Sequence, residues 1–424
     1  MGRYKMLNKL RTLISVIKLL GNLLSEFGMK DLFSKTLELI SSGGLKSRLR
    51  DWDATPPKEL DNILNSSEIL VVAHSLQSAS NHYRGSNFLE AFRLLGFEAN
   101  ILHETEFQKI RSIPTNIRVI IFCRTATTLE DYLWYKLKPK NLILIYDTDD
   151  LIFDEEVYNL ENVSELKNVS SRTFNYLTGE YMFKQQRIIA GVDIVTAPTD
   201  RILSSYRKYT EAPSIRILNV LKSIPKEKKP DKNQLTKQII IGYTSGNKSH
   251  QEDFLVVIEA LWEILREFPQ VSLLILGISP ITKNQVPIGI RSQVIFKGFI
   301  PHAELLENIK DFDINLAPLV INDFNDGKSE LKFVHAASVS VPTVASPTEP
   351  FRSVIINASN GYIADNSKDF KNILTQLIED DLLRSKIGSN AYQTFIAKFT
   401  ISTFVESLRL NILPIINRGI GEET

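Results

Sequence analysis

Residues 239–250 read IIIGYTSGNKSH, an apolar run, a turn of small residues and a lysine-serine pair. That order suits phosphate, because a helix start presents unpaired N–H groups and the positive end of its dipole. A triphosphate-binding loop needs Gly, four residues, then Gly-Lys-Ser or Gly-Lys-Thr between a strand and a helix. Here Gly242 and four residues lead to Asn247, with Lys248 and Ser249 after it and the second glycine one place early, at Gly246. Asn247 puts a β-carbon where the backbone must pass close to the phosphates, so the ATPase reading is rejected. What survives is a strand ending at Gly242, a turn through Ser245 and Gly246, and a helix opening near Ser249. Ser249 and Glu252 have capping-box spacing. Helix-start amides aided by Lys248 would suit a diphosphate, whereas the stretch alone also reads as an ordinary glycine turn.

A second constellation follows in the same half of the chain. In FNDGKSELKFVHAASVSVPTVAS (324–346), a polar turn after the strand INLAPL leads into a helix and then another strand. Ligands of open α/β sheets bind outside the carboxyl ends of strands, which places Lys328, Ser329 and Glu330 on a ligand rim. A solvated charged cap is the competing reading. In the first half, His74 ends a strand, Arg84 follows it, and Asp149 and Asp150 lie on a strand-end loop, where they could meet a second substrate or orient Arg84. The triplet Asp147-Thr148-Asp149 also spells a metal–diphosphate motif of an unrelated transferase fold, a triplet common by chance.

The elements that must position these residues are legible. Near-continuous apolar runs at 68–75, 98–104, 118–124, 141–147, 193–199 and 215–220 read as parallel strands covered on both faces. Helical stretches such as GSNFLEAFRLLG and TTLEDYLWYKLK alternate with them, the rhythm of a doubly wound α/β domain. The proline-bearing, charged segment KSIPKEKKPDKNQ reads as a linker. The alternation then restarts with strands at 237–243, 271–277, 292–298, 314–319, 342–346 and 360–364. The expected organisation is a helical leader (1–60), a first Rossmann-like domain (61–221), a linker (222–236), a second Rossmann-like domain (237–395) and a terminal helix (396–424) that could return to the first domain.

Composition limits the function classes. With 43% hydrophobic and 23% charged residues the chain reads as soluble and globular, and a formal net charge of +1 gives no signature of nucleic-acid binding. Cys123, the single cysteine, excludes an intramolecular disulfide and fits a reducing cytoplasm. The histidines show no metal-ligand spacing. Leu10, Leu13, Ile14, Ile17, Leu20 and Leu24 recur at helical spacing among Arg3, Lys5, Lys9, Arg11 and Lys18. Such a basic amphipathic helix suits either an anionic membrane surface or a protein face, but Lys18, Asn22 and Glu26 bar it from spanning a bilayer.

IGYTSGNKSHQEDF, LAPLVINDFNDGKSELKFVHAASVSVPTVAS and NGYIADN together resemble the donor half of family-4 type (group 1) glycosyltransferases of bacterial surface polysaccharides. YRGSNFLEAFRLLGFEANIL, IYDTDDLIF and DIVTAPTDRIL are similar to their acceptor half. The resemblance runs from about Glu68 to Thr394. It implies the GT-B fold, two Rossmann-like domains facing a cleft. It also implies metal-independent, retaining transfer of a sugar from a nucleotide-sugar to a glycan or lipid-linked acceptor. Lys248 matches the family's diphosphate-binding residue. Gly327 and His335 stand where members carry two glutamates, and Ser340 stands where a glycine is usual. His335 would then reach ribose hydroxyls. These departures leave open a degenerate partner that binds donor or glycan without turnover.

Overall fold

The computed structural model describes residues 57–110, 113–126, 141–225, 238–246 and 251–421. The proposed leader helix, TTLEDYLWYKLK, most of the linker and the segment carrying Lys248 and Ser249 lie outside the described residues. The chain forms two compact units. One comprises the described residues up to Leu160, Leu166–Ile217 and the chain from Val405; the other comprises Glu161–Glu165 and Leu218–Phe404.

The first unit is built on β1 (Ile69–Ala73), β2 (Ala99–His103), β3 (Val119–Cys123), β4 (Ile143–Asp147), β5 (Ile194–Ala197) and β6 (Ser214–Arg216), in the order β2-β1-β3-β4-β5-β6. Every pairing is parallel. β1, β3 and β5 are buried at every position, as strands covered on both faces must be. The apolar run 215–220 supplies only a short edge strand.

The second unit carries β7 (Ile239–Ser245), β8 (Val271–Gly277), β9 (Val294–Lys297), β10 (Ile314–Ala317), β11 (Thr343–Ala345) and β12 (Tyr362–Ile363), ordered β12-β11-β10-β7-β8-β9 and again all parallel. Leu261 and Ile264 of the helix Ile258–Glu267 and Leu374 and Leu377 of the helix Ser367–Glu379 join one buried cluster with β7 and β8 side chains. Phe312, Val339 and Val341 belong to a second. In each sheet the strand order reverses once, between β1 and β3 and between β7 and β10, where open α/β sheets leave a crevice at the carboxyl edge.

β7 extends past the expected end at Gly242, because its pairing with β8 continues as far as Ser245 opposite Gly277. Gly242 therefore lies inside the strand, and a β-carbon there would come within 2.1 Å of the Phe312 ring. Its smallness serves helix-free close packing of Phe312 on the strand rather than a phosphate turn. Ser340, where a glycine was expected, has φ +61°, the left-handed region that a β-carbon disfavours.

The segment from Leu218 to Leu221 and the segment from Phe399 to Ile401 are tied together. Leu221 N–H donates to the Phe399 carbonyl at 2.9 Å, and Ile401 N–H donates to the Leu221 carbonyl at 3.1 Å. The terminal helices Ile401–Asn411 and Leu413–Gly421 follow. No described helix is long and apolar enough to cross a membrane.

Candidate functional site

Strand register places one row of side chains along the first carboxyl edge. Ala73 pairs with His103 and with Cys123, and Cys123 pairs with Asp147, so the next residues along, Glu104, His74, Arg124 and Thr148, come side by side. His74 Nδ1 lies 2.6 Å from Glu104 Oε1, and the imidazole is 45% exposed beside a largely buried carboxylate. The other Glu104 oxygen accepts from Ala126 N–H at 3.0 Å. The Tyr181 ring meets His74 edge-on at 5.4 Å, and its hydroxyl donates to the Arg124 carbonyl at 3.1 Å. Burial, with Glu104 adding, raises the Tyr181 phenol well above its ordinary range.

Arg84 is placed otherwise than the sequence suggested. It is buried, Nε and Nη2 bind both carboxylate oxygens of Asp147, and Nη1 donates to the Ile217 carbonyl. The side chain thus joins the helix start at Gly85 to β4 and to the chain after β6; it is not a rim residue. Asp147 also accepts from Thr196, so both its oxygens are engaged and the Asp-x-Asp triplet lacks a free first carboxylate. Asp149 and Asp150 orient Arg124 rather than Arg84. Arg124 Nη1 lies 2.8 Å from Asp150 and 3.6 Å from Asp149, and Asp149 accepts from Ser80 Oγ at 2.6 Å. Arg124 itself has φ +51°, a strained backbone of the kind found where a side chain must be aimed. Sequence reading overlooked Glu104 and Arg124, although both stand one residue past a strand end, the position that reveals them.

At the second switch point, Ser245 ends β7 and is buried, and Gly246 follows with no heavy atom of the described residues near its β-position. The Ser245 carbonyl accepts from Ile278 N–H, and Gly277, at φ +91°, has no room for a β-carbon against it. Across the reversal, the short helix Asp323–Gly327 is capped by Asn322, whose oxygen accepts from Asn325 N–H. Asp253 is buried. One oxygen accepts from Val320 N–H at 3.0 Å and Asn325 Nδ2 at 2.9 Å, and the other lies 3.5 Å from Lys328 Nζ.

Glu330 caps the helix Leu331–Ala337 with its backbone and is 1% exposed, so it is an interior group rather than a rim charge. Ser329 Oγ accepts from Asn219 Nδ2 at 2.9 Å. His335 is largely buried, its ring 6.5 Å from that of His302, whose imidazole loss of water holds below its ordinary value.

Lys332 was not singled out from sequence, where a lysine early in a helix reads as solvated. Its Nζ donates to the Thr244 carbonyl at 2.5 Å and stands 4.2 Å from the centroid of the buried Tyr243 ring. Loss of water pushes this ammonium down to about 7; Asp253 opposes the shift and Lys328 adds to it. Lys332 at the Thr244 carbonyl and Lys328 at Asp253 thus place two amine groups near the end of β7. Among the described residues, no three His, Cys, Asp or Glu side chains cluster so as to hold a metal.

Two doubly wound parallel sheets with these switch points define the GT-B glycosyltransferase fold. The family model for glycosyl transferases group 1 matches residues 225–394. No curated protein matches it in sequence. Among solved structures it is similar to sucrose-phosphate synthase from Thermosynechococcus elongatus, with 13% identity and TM-score 0.58 over 83% of this chain and all of that one. Anabaena HepE in complex with UDP gives 15% and 0.56 over 82% of this chain and all of that one. TarM of S. aureus gives 17% and 0.49 over 70% of this chain, which spans only 55% of TarM.

Proposed function

We propose that the protein transfers a sugar from a nucleotide-sugar donor, bound by the second unit, to a glycan or lipid-linked acceptor in cell-surface polysaccharide synthesis. The observation that carries this reading is Lys328 beside Asp253 and Lys332 against the Thr244 carbonyl, both at the β7/β10 switch point. A diphosphate carries its charge into such a crevice, and charge-assisted hydrogen bonds are among the strong ones. Lys248, matched to the family's diphosphate residue, would add a further cation. His335 and the neighbouring His302 would face the nucleoside. In the reaction, negative charge grows on the departing nucleoside diphosphate, and fixed cations and amides stabilise it without a metal. HepE, solved with UDP, supports a uridine nucleotide as the first donor to test.

A binding panel of UDP-glucose, UDP-N-acetylglucosamine, UDP-galactose and GDP-mannose tests the reading. At least one should bind, and Lys248→Ala should weaken it tenfold or more with little change in stability. Unchanged affinity in that variant would refute the diphosphate assignment. A second reading, a donor-binding partner without turnover, is favoured by Gly327 and His335 in place of two glutamates. Binding without hydrolysis or transfer would select it. The leader residues 1–30 are proposed to hold the protein on the cytoplasmic face of an anionic membrane. Equal vesicle binding with and without them would refute that role.

A further inference from the structure

We propose that Asp253 is a positioning residue of the donor site: its buried carboxylate fixes the turn after β10 and holds the Lys328 ammonium where a diphosphate arrives. This role rests on the nucleotide-sugar reading above and lies within the second unit.

The carboxylate ties together the two connections that leave the switch point. Asp253 lies on the short helix Gln251–Leu255, in the connection that follows β7, and is 3% exposed. Its partners lie in the connection that follows β10. Oδ1 accepts from Val320 N–H at 3.0 Å and from Asn325 Nδ2 at 2.9 Å, and Lys328 Nζ lies 3.5 Å from Oδ2. The turn between these partners is closed on itself. Asn325 Nδ2 also donates to the Val320 carbonyl at 2.8 Å, Asn325 N–H to Asn322 Oδ1 at 2.8 Å, and Lys328 N–H to the Asn325 carbonyl at 3.1 Å. Lys328 therefore leaves the turn at a point that Asp253 helps to set.

The chemistry of these contacts separates a role in the fold from a role in the site. Both neutral donors meet the same oxygen, and an amide oxygen would serve them as well. Burying a full negative charge is far more costly than burying an amide, and it is sustained where a cation stands close. Lys328 is such a cation, and its side chain is 19% exposed, so it is held without being sealed in. A free lysine loses much rotamer freedom when a ligand fixes it. An ammonium already held by a carboxylate has lost that freedom before the donor binds, and pre-organisation of this kind raises affinity. Asp253 thus acts through Lys328 and the turn, and no covalent step passes through it.

A double-mutant cycle on nucleotide binding tests the role. UDP, with GDP in parallel, is titrated calorimetrically into the full chain at pH 6, below the point near 7 at which Lys332 loses its proton. Asp253→Asn keeps an oxygen for Val320 and Asn325 and removes the charge. It should weaken nucleotide about fivefold or more, and Lys328→Met about tenfold. The double variant should bind within about threefold of Lys328→Met alone, because the carboxylate then has no ammonium to hold. A merely structural role would subtract the same factor in both backgrounds. That additive result would overturn the positioning role and leave the donor site standing. So would binding by Asp253→Asn as tight as native or tighter, the tighter case marking the carboxylate as a rival of the diphosphate for Lys328. If Asp253→Asn does not fold, Asn325→Ser carries the same cycle, since it removes the side chain that links Oδ1 to the turn. It should weaken nucleotide about threefold or more in the native background and not in the Lys328→Met background. Failure of native protein to bind either nucleotide would instead refute the donor site, and the positioning role with it.

Discussion

The two carboxyl edges share one topology and differ in how their charges are arranged. At the first, each arginine is held by carboxylates, Arg84 by Asp147 and Arg124 by Asp150 and Asp149, and His74 bonds Glu104. At the second, Lys328 lies 3.5 Å from the buried carboxylate of Asp253, Glu330 is buried as well, and Lys332 is dehydrated against a tyrosine ring and a carbonyl. An amine that burial has stripped of water gains from an anion brought beside it, because water screens that attraction poorly. The difference teaches that one scaffold can be specialised by charge balance rather than by fold.

Removing Arg84 gives the largest expected effect. Arg84→Ala leaves Asp147 charged in the interior, and breaking a buried pair in this way costs about 3–5 kcal/mol. Urea unfolding should show that loss while nucleotide affinity of the folded protein is retained. A loss below about 1 kcal/mol would break the view that the first edge is held together by its own pairs. The smallest effect sharpens the second unit. Ser340→Gly relieves a left-handed residue at φ +61° and should stabilise by about 1 kcal/mol. The same unfolding midpoint measures it, and a decrease would show that the serine side chain contributes more than its backbone costs.

Much of the fold was legible in the sequence because parallel strands covered on both faces read as unbroken apolar runs. All six strands of each sheet were anticipated within a few residues. The end of β7 was missed because Thr244 and Ser245 look like a turn, and only pairing with Leu276 and Gly277 keeps them in the strand. The site was less legible. Arg84 and Asp147 are 63 positions apart, so their pairing is a product of topology that no local spacing announces. Lys332 lies 88 positions beyond the carbonyl it binds and has the look of any helix lysine. Glu104 was passed over because it reads as the last residue of the strand 98–104, whereas it opens the short helix Glu104–Phe107. Lys328 was proposed from its place past a strand end and His335 from the family resemblance; their neighbours, Asp253 and His302, came from packing.

The most direct measurement is calorimetric titration of the full chain with UDP, with GDP in parallel, at pH 8 in buffers of different ionisation enthalpy. Lys332 sits near 7 in the free protein, so at pH 8 it is mostly neutral, and a bound diphosphate must draw a proton onto it. Native protein should therefore bind nucleotide with net proton uptake, and that uptake should vanish in Lys332→Met together with roughly tenfold or more of the affinity. Binding of equal strength and equal proton count in both proteins, or no binding of either nucleotide, would contradict a diphosphate site at the end of β7.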